Sequence, residues 1–467
     1  MAMSKGEKKA DLIVIGAGPG GYACAFRAAD LGREVTLIDP RAALGGVCLN
    51  EGCIPSKALL HAAEVMRSAI DLKDWGIAFA SPKVNLKALR EKKDTIVTGL
   101  TGGLAQLAKR RKVTIIRGTA RFAGADKVLV TSGKTKQTLQ FTDAIIAVGS
   151  SPVRLPGWPD DKRIMDSTGA LSLQNIPKRL AIVGGGIIGL EMATVYSALG
   201  SDVTIIELAP HLVDGIDADA IRILTAALKK QGCTIHTGTK VESVKAAARN
   251  LTLDCTGSHS GIITVDGIIQ AVGRRANGNG IDADIAGVAV EKSGIIIVDD
   301  TCRTNIDHIF AVGDVTGAPM LAHRATHQGK VAAEVASGHA TIFDAATIPA
   351  VAYTDPELAW AGLTEKQAKE SGATYKVSKF PWAASGRNLA SGGGPGMTKI
   401  VWSPESGHVL GATIIGRHAG ELIAEMVLAI EMGATLEDIA LTVHAHPTLS
   451  ETTGFATELA LGICTDL

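Results

Sequence analysis

Short apolar runs alternate with longer stretches of helical length along the first three quarters of the chain. Residues 12–15 and 35–38 are compact runs rich in β-branched side chains, which is typical of strands buried on both faces. Between them, residues 22–31 form a small-residue stretch of helical length that follows a cluster of glycines. A strand, a tight turn, a helix and a second strand make a βαβ unit, so the pattern predicts an α/β fold.

The glycine cluster has the form Gly16-x-Gly18-x-x-Gly21, and the second strand ends in Asp39, which lies 23 residues after Gly16. Such glycines let a pyrophosphate approach the helix N-terminus, and the carboxylate at the strand end accepts hydrogen bonds from a ribose. The glycines alone are a weak signal. Their position between a strand and a helix, with the acid beyond, predicts a dinucleotide site.

The same arrangement recurs with Gly184, Gly186 and Gly189, and Glu207 again lies 23 residues after the first glycine. Each such unit presents one helix N-terminus to one pyrophosphate. The sequence therefore predicts two Rossmann-like dinucleotide-binding domains in one chain.

Residues 143–152 and 266–273 resemble each other, because each is an apolar strand followed by a turn that contains glycine. We interpret the two segments as the points where the chain passes between one domain and a second domain inserted into it. From about residue 348 the pattern changes, and an α+β unit without a nucleotide fingerprint is predicted. Its predicted strands are 351–355, 375–380, 398–402 and 409–415, and its predicted helices lie around 363–370, 421–432 and 437–441.

Cys48 and Cys53 lie in a glycine-rich stretch, residues 45–57. On a regular helix their Cα atoms would be about 8–9 Å apart, whereas a disulfide needs about 4.4–6.8 Å, so a bonded pair requires an irregular backbone. Glycines at 45, 46 and 52 supply that freedom. The alternative is two unrelated buried cysteines. The other cysteines are expected to be buried thiols: Cys24, Cys233, Cys255, Cys302 and Cys464.

Two further segments each allow a structural and a chemical interpretation. Asp314 ends an apolar run and could bind a polar ligand group or cap a helix, and the next helix is predicted to begin near residues 320–323. Near the end of the chain, Thr448-x-x-Glu451 fits a capping box, while His446 could instead be a proton carrier oriented by Glu451.

The amino-acid composition argues against several classes of function. Lysine plus arginine (47) equal aspartate plus glutamate (47), so no overall field favours nucleic acid or an anionic membrane. Seven cysteines without a dense pattern do not suggest a secreted disulfide scaffold, and no apolar run reaches membrane-spanning length. We expect a soluble protein of a reducing, cytoplasmic compartment, with neither nucleic acid nor membrane as a partner and no metal site.

The stretch 45–57, the Gly-Asp pair at 313–314 and the terminal residues 446–451 together resemble the pyridine nucleotide-disulfide oxidoreductases. The closest resemblance is to members that oxidise dihydrolipoamide, and it covers nearly the whole chain. It implies a redox disulfide in which Cys48 exchanges with substrate and Cys53 contacts the flavin. His446 is then the acid/base, with Glu451 as its orienting partner.

The resemblance also implies the domain organisation and the partners. We expect an FAD-binding domain over residues 1–150, an NAD-binding domain over 151–273, a central domain over 274–347 that completes the FAD site, and a dimerisation domain over 348–467. The expected protein is a homodimer in which His446 serves the partner subunit's cysteines. Its expected partners are the lipoyl domain and the acyltransferase core of a 2-oxoacid dehydrogenase complex.

Cofactor contacts carry over position by position. For FAD they are Gly16, Gly18, Gly21, Asp39, Lys57, Gly118, Ala147, Gly149, Asp314, Met320, Leu321, Ala322 and His323. For NAD they are Gly184, Gly186, Gly189, Glu191, Glu207, Val241 and Gly273. Lys57 and Glu191 are also expected to pair near the flavin. Asp39 departs from the family, where glutamate is more usual, but the shorter arm leaves its role intact.

The residues argue against three rival functions. Glutathione reductases use NADPH and need cations where Glu207 stands, and no arginine occurs among residues 208–211. Mercuric reductases end in paired cysteines, whereas only Cys464 lies near this end. A flavoprotein whose main role is docking to a multienzyme core would not need both Cys48 and Cys53 together with His446.

Overall fold

The computed structural model describes residues 7–467, which form two compact units. The first runs to Pro55 and also contains Lys87–Val153 and Gly273–Asp344. The second contains Ser56–Leu86, Arg154–Val272 and Ala345–Leu467. The chain thus leaves the first unit after Val153 and returns at Gly273, next to the two predicted exit segments.

The strands of the described residues are β1 (Glu7–Ile15), β2 (Val35–Asp39), β3 (Thr114–Arg117), β4 (Thr119–Gly124), β5 (Lys127–Ser132), β6 (Thr135–Ile146), β7 (Ser150–Pro152), β8 (Ile164–Met165), β9 (Arg179–Val183), β10 (Asp202–Ile206), β11 (Thr234–His236), β12 (Thr239–Ala246), β13 (Leu251–Gly257), β14 (Gly261–Val265), β15 (Gly267–Gln270), β16 (Arg274–Ala276), β17 (Ile309–Ala311), β18 (Ala350–Ala352), β19 (Glu357–Gly362), β20 (Lys376–Pro381), β21 (Met397–Trp402) and β22 (Val409–Gly416).

The α-helices of the same residues are α1 (Pro19–Asp30), α2 (Gly46–Glu51), α3 (Cys53–Asp71), α4 (Leu86–Arg110), α5 (Ser167–Ser172), α6 (Ile187–Ala198), α7 (Ala218–Lys230), α8 (Ala322–Ala336), α9 (Glu365–Ser371), α10 (Gly386–Ala390), α11 (Ala419–Glu431), α12 (Leu436–Ala440) and α13 (Glu451–Leu461). None of these helices is both long enough and apolar enough to cross a membrane.

The first unit is built on a sheet of order β3-β2-β1-β6-β5-β4, with β17 also paired to β6. Strands β2, β1, β6 and β17 run parallel, whereas β4, β5 and β6 are antiparallel. Along β1, Leu12 and Val14 join one apolar cluster and Ile13 and Ile15 join another. Consecutive side chains point to opposite faces of a strand, so burial of both faces explains the uninterrupted apolar run.

The second unit contains a parallel sheet of order β11-β10-β9-β15-β8 and an antiparallel sheet of order β12-β13-β14. Its C-terminal part has the antiparallel sheet β18-β19-β22-β21-β20, flanked by α11 and α13. Strand β19 was not predicted from the sequence. Its Ala and Gly residues have low strand propensity, and pairing on both sides with β18 and β22 overrides that preference.

One prediction about the cysteines is wrong. Cys24, Cys233, Cys255 and Cys302 are buried as expected, but Cys464 is only half-buried. It lies three residues beyond the end of α13, outside the regular secondary structure.

Candidate active site and dinucleotide sites

The first glycine fingerprint forms the turn between β1 and α1. Gly16 has φ of +105°, and a Cβ there would lie 2.3 Å from the carbonyl oxygen of Ala147, so only glycine fits. Gly18 is the N-cap of α1, and a Cβ there would meet nothing within 4 Å. Open space thus lies directly before a helix N-terminus, which fits the pyrophosphate of a dinucleotide.

Asp39 lies against this turn, and its side chain is buried. Its Oδ2 accepts a hydrogen bond from Ala17 N at 2.7 Å, and its Oδ1 accepts one from Arg41 N at 2.8 Å. Gly118 N donates to the main-chain oxygen of Asp39 at 3.0 Å. The fold therefore gathers Gly16, Asp39, Gly118 and Ala147 at the carboxyl ends of parallel strands, where open α/β sheets bind ligands.

The second fingerprint has the same construction. A Cβ on Gly184 would lie 2.2 Å from Ala271 O, and Gly186 is the open N-cap of α6. Glu207 Oε2 accepts from Gly185 N at 2.5 Å, and its Oε1 accepts from Ala209 N at 2.6 Å. The two fingerprint loops therefore have the same construction, and each binds a carboxylate, Asp39 or Glu207, at the position where a ribose would bind.

The remaining predicted dinucleotide contacts lie beside the two fingerprints. Glycines 21 and 189 pack against the main-chain oxygens of Gly16 and Gly184, and Gly149 follows β6 with φ of +67°. Val241 is half-buried on β12, and Gly273 is exposed just after β15.

The stretch that carries Cys48 and Cys53 starts against the first fingerprint. Gly45 N donates to Ala17 O at 2.8 Å, and a Cβ on Gly46 would lie 2.5 Å from the Cα of Gly18. Helix α2, which contains Cys48, ends before Gly52, and Cys53 is the first residue of α3. The irregular backbone that the cysteine spacing requires is therefore present between the two thiols, at Gly52 with φ of −137° and ψ of −107°.

Tyr22 is a neighbour of the two cysteines that was not recognised from the sequence. Burial raises the pKa of Tyr22, and negative charge on Cys48 and on Cys53 raises it further. The Tyr22 side chain therefore lies within electrostatic reach of both sulfur atoms. Its position one residue after Gly21 was the available clue, because it places Tyr22 in the first turn of α1, directly after the fingerprint loop.

Lys57 and Glu191 form an ion pair, as the resemblance implied. Lys57 Nζ lies 2.9 Å and 3.0 Å from the two carboxylate oxygens of Glu191, which is only 4% exposed. Ser56 Oγ and Tyr353 N also donate to this carboxylate, at 2.7 Å and 3.2 Å. Lys57 Nζ further lies 4.3 Å from the centre of the Tyr353 ring. Ser56 and Tyr353 were not recognised from the sequence.

Asp314 does not cap a helix. The turn formed by residues 313–316 has Val312 as its N-cap, and the next helix, α8, has Leu321. The Asp314 carboxylate instead accepts a hydrogen bond from Ser150 Oγ at 2.5 Å, which corrects the capping alternative. Residues 320–323 surround the start of α8, near the predicted position.

His446 and Glu451 lie in contact near the start of α13. His446 Nδ1 is 2.8 Å from Glu451 Oε1, and Thr448 N donates to Glu451 Oε2 at 2.6 Å. The helix has Ser450 as its N-cap without a side-chain bond, and Thr448 Oγ1 donates to Ala445 O. A complete capping box is therefore absent at this helix start. The His446 side chain is 80% exposed, while that of Glu451 is 12% exposed.

Two family matches together cover most of the chain. Residues 10–329 match the family described as pyridine nucleotide-disulphide oxidoreductase. Residues 348–456 match the dimerisation domain of the same family. The chain belongs to this family.

Curated relatives resemble the chain over its whole length. A dihydrolipoyl dehydrogenase of Vibrio cholerae is 48% identical, covering 100% of this chain and 98% of its own. A dihydrolipoyl dehydrogenase of Geobacillus stearothermophilus is 43% identical, covering 97% and 96%. Among solved structures, a Cu(II) complex of the HOCl-induced flavoprotein disulfide reductase RclA from Escherichia coli is 27% identical. It covers 97% of this chain and 99% of that chain, with a TM-score of 0.87.

These findings confirm the family, the α/β fold class and the oxidoreductase class predicted for this pyridine nucleotide-disulphide oxidoreductase. The family and its relatives also support the two predicted cofactors, FAD and NAD. Within residues 7–467, no group of three or more His, Cys, Asp or Glu side chains converges as a metal site would require.

Proposed function

We propose that the protein is a dihydrolipoyl dehydrogenase that oxidises protein-bound dihydrolipoamide to lipoamide with NAD as the acceptor. The observation that carries this proposal is the helix break between Cys48 and Cys53, built directly against the first dinucleotide loop. Two thiols that flank such a break can pair and separate as a redox couple, and full-length relatives named dihydrolipoyl dehydrogenase support the substrate.

His446 supplies the proton transfer. Its Nδ1 proton is donated to the Glu451 carboxylate, so Nε2 is left as the proton acceptor. Nε2 takes a proton from one thiol of the substrate dithiol, and the resulting thiolate attacks Cys48 Sγ. The bond between Cys48 and Cys53 breaks, and Cys53 leaves as a thiolate.

The second half of the exchange releases the product. The other substrate thiol loses its proton to water and attacks the substrate sulfur that is bound to Cys48. A disulfide forms within the substrate, the bond to Cys48 breaks, and Cys48 leaves as a thiolate. The dithiol has lost two electrons and two protons, and the cysteine pair has gained the two electrons. When bound, FAD would pass these two electrons to NAD; one of the two substrate protons would end in NADH, and the other would be released.

The chain's own residues account for cofactor choice. The first fingerprint with Asp39, together with Asp314, would hold FAD, and the second fingerprint with Glu207 would hold NAD. A phosphate on the adenosine ribose would meet the Glu207 carboxylate with no arginine among residues 208–211. NAD is therefore favoured over NADP.

The protein acts as a homodimer in the cytoplasm, with a lipoyl domain as substrate and an acyltransferase core as a further partner. The dimerisation domain over residues 348–456 supports the dimer. The exposure of His446 also supports it, because an acid/base residue works best where bulk water is excluded.

The test is NAD reduction by dihydrolipoamide, with NADP and glutathione assayed in parallel. Turnover with NAD and dihydrolipoamide is expected, and it should be abolished by Cys48→Ser and by Cys53→Ser while FAD stays bound. A higher kcat/KM with NADP, or turnover retained in either variant, contradicts the proposal. Flavin reduction by NADH without any dihydrolipoamide turnover would instead favour a protein that serves mainly for docking.

A further inference from the structure

Three polar side chains that are distant in sequence form a chain of hydrogen bonds in the first unit. Ser150 Oγ lies 2.5 Å from Asp314 Oδ2, and Arg274 Nε lies 2.7 Å from Ser150 Oγ. Arg274 Nη2 also donates to the main-chain oxygen of Ser150 at 2.8 Å. We call Arg274, Ser150 and Asp314 the arginine relay.

The direction of these bonds is fixed by chemistry. A guanidinium has only donors, so Arg274 must donate to the serine oxygen. A hydroxyl has a single proton, so Ser150 must give it to Asp314, which accepts as a carboxylate. The carboxylate has acceptor capacity left for a hydroxyl of a ligand.

The main chain around the arginine relay is fixed by strand pairing and by further hydrogen bonds. Ser150 begins β7 and Arg274 begins β16, and the two strands pair antiparallel. Ser150 is only 5% exposed. The neighbouring Asn277 donates from Nδ2 to Val148 O at 3.0 Å and accepts from Ser151 Oγ at 2.8 Å. The serine hydroxyl therefore has little freedom to leave the carboxylate.

We propose that Arg274 and Ser150 are positioning residues that orient the Asp314 carboxylate toward a hydroxyl of FAD. This inference rests on the proposed role of Asp314 in FAD binding and deepens it. A lone carboxylate on a short turn could rotate about its side chain. The hydrogen bond from Ser150 Oγ fixes Oδ2 of Asp314, and the hydrogen bonds from Arg274 fix the position of Ser150.

The test compares Ser150→Ala and Arg274→Met with Arg275→Met in the full-length protein. Arg275 is the next residue on β16 and is exposed, so its loss is the matched control for charge and position. The apoprotein is titrated with FAD by flavin fluorescence. We expect about 10- to 100-fold weaker FAD binding for Ser150→Ala and for Arg274→Met, and binding within about twofold of the wild type for Arg275→Met.

Two further measurements separate positioning from general destabilisation. The double variant should bind FAD no worse than about threefold below the weaker single variant, because both changes break one chain of bonds. Ser150→Thr retains the hydroxyl and should recover most of the affinity, and the unfolding temperature of each apoprotein identifies variants that simply fail to fold.

The outcomes distinguish this inference from its premise. Wild-type FAD affinity in both Ser150→Ala and Arg274→Met overturns the positioning role, as does full additivity in the double variant. Asp314→Asn is measured alongside them. If Asp314→Asn loses FAD and the relay variants do not, only the relay is wrong. If Asp314→Asn binds FAD like the wild type, the role of Asp314 itself fails, and the inference fails with it.

Discussion

At the scale of single residues, one carboxylate often serves two neighbours. Glu451 contacts both the imidazole of His446 and the main-chain N–H of Thr448, so the capping and the chemical interpretations share one side chain. Glu191 likewise accepts bonds from Lys57, Ser56 and Tyr353. Several hydrogen bonds to one carboxylate fix its orientation. The fixed Glu451 carboxylate then orients the His446 imidazole, and the fixed Glu191 carboxylate orients the Lys57 ammonium group.

Replacing His446 by Gln should lower dihydrolipoamide turnover about 10²- to 10⁴-fold while flavin reduction by NADH stays normal, because the variant lacks only the proton acceptor. Glu451→Gln should give a milder defect of the same kind, since the imidazole is loosened but present. Steady-state turnover and stopped-flow NADH reduction measure the two halves of the reaction.

A second histidine in the same segment provides the control for that experiment. His444 Nε2 lies 2.7 Å from Glu425 Oε1, and the His444 ring packs against Gly454 of α13. His444→Gln should therefore lower stability with near-normal turnover. Equal loss of turnover in the His444 and His446 variants would argue that the segment matters for folding rather than for proton transfer.

At the scale of elements, helix α2, which contains Cys48, packs closely against the first fingerprint loop. Gly46→Ala should weaken FAD binding and turnover together, because Gly46 has φ of +56° and its new Cβ would lie 2.5 Å from the Cα of Gly18. The control is Gly99→Ala within α4, where a Cβ meets nothing within 4 Å and alanine favours the helix. Flavin content after purification is the readout, and wild-type content in Gly46→Ala would contradict the close packing.

A cluster of ion pairs around a buried lysine links the start of α7 to the C-terminal part of the second unit. Lys399 on β21 is fully buried, and its Nζ lies 2.9 Å from Asp217, 3.2 Å from Asp219 and 2.5 Å from Glu365. Burial favours the neutral form of Asp219, but hydrogen bonds and charge from Lys379 and Lys399 outweigh it and lower the pKa of Asp219. Its pairing therefore stabilises the fold above the ordinary carboxyl pKa and is lost as the pH falls through the lowered pKa.

Lys399→Met should reduce the free energy of unfolding by about 3–5 kcal/mol at neutral pH, because it leaves the buried Asp217 carboxylate without its cation. The matched control, Lys366→Met, removes an exposed cation from α9 and should change it by less than about 0.5 kcal/mol. Urea denaturation measures both. The deficit of Lys399→Met should shrink as the pH falls through the lowered pKa of Asp219 and its carboxylate becomes protonated, whereas a pH-independent deficit would assign the loss to packing alone.

At the scale of the whole molecule, roughly the last quarter of the chain is a dimerisation domain, and that domain contains His446. The proposed homodimer would then contain two active sites, each with a cysteine pair from one subunit and an acid/base from the other.

Mixing Cys48→Ser protein with His446→Gln protein should restore activity after subunit exchange, because one site of each mixed dimer would contain only intact parts. Mixing Cys48→Ser with Cys53→Ser is the control. Both lesions fall within the cysteine pair, so no site is repaired and no activity should return. Turnover after exchange is the measurement, with mixed dimers verified by two affinity tags. Verified mixed dimers of the first kind that stay inactive would contradict the shared site.

The sequence by itself determined the features that depend on short spacings. The two fingerprints with Asp39 and Glu207, the need for an irregular backbone between Cys48 and Cys53, and the α/β class all follow from residues close together along the chain, where local geometry dictates residue type. Only the tertiary structure decided the contacts between distant segments. Strand β19, the bonds of Glu191 to Ser56 and Tyr353, and the relay from Arg274 through Ser150 to Asp314 join residues that no periodicity connects. Their hydrogen bonds form because packing of the sheets brings buried polar groups together and each then requires a partner. The exposure of Cys464 has the same origin, since burial depends on which elements cover a residue and not on its type.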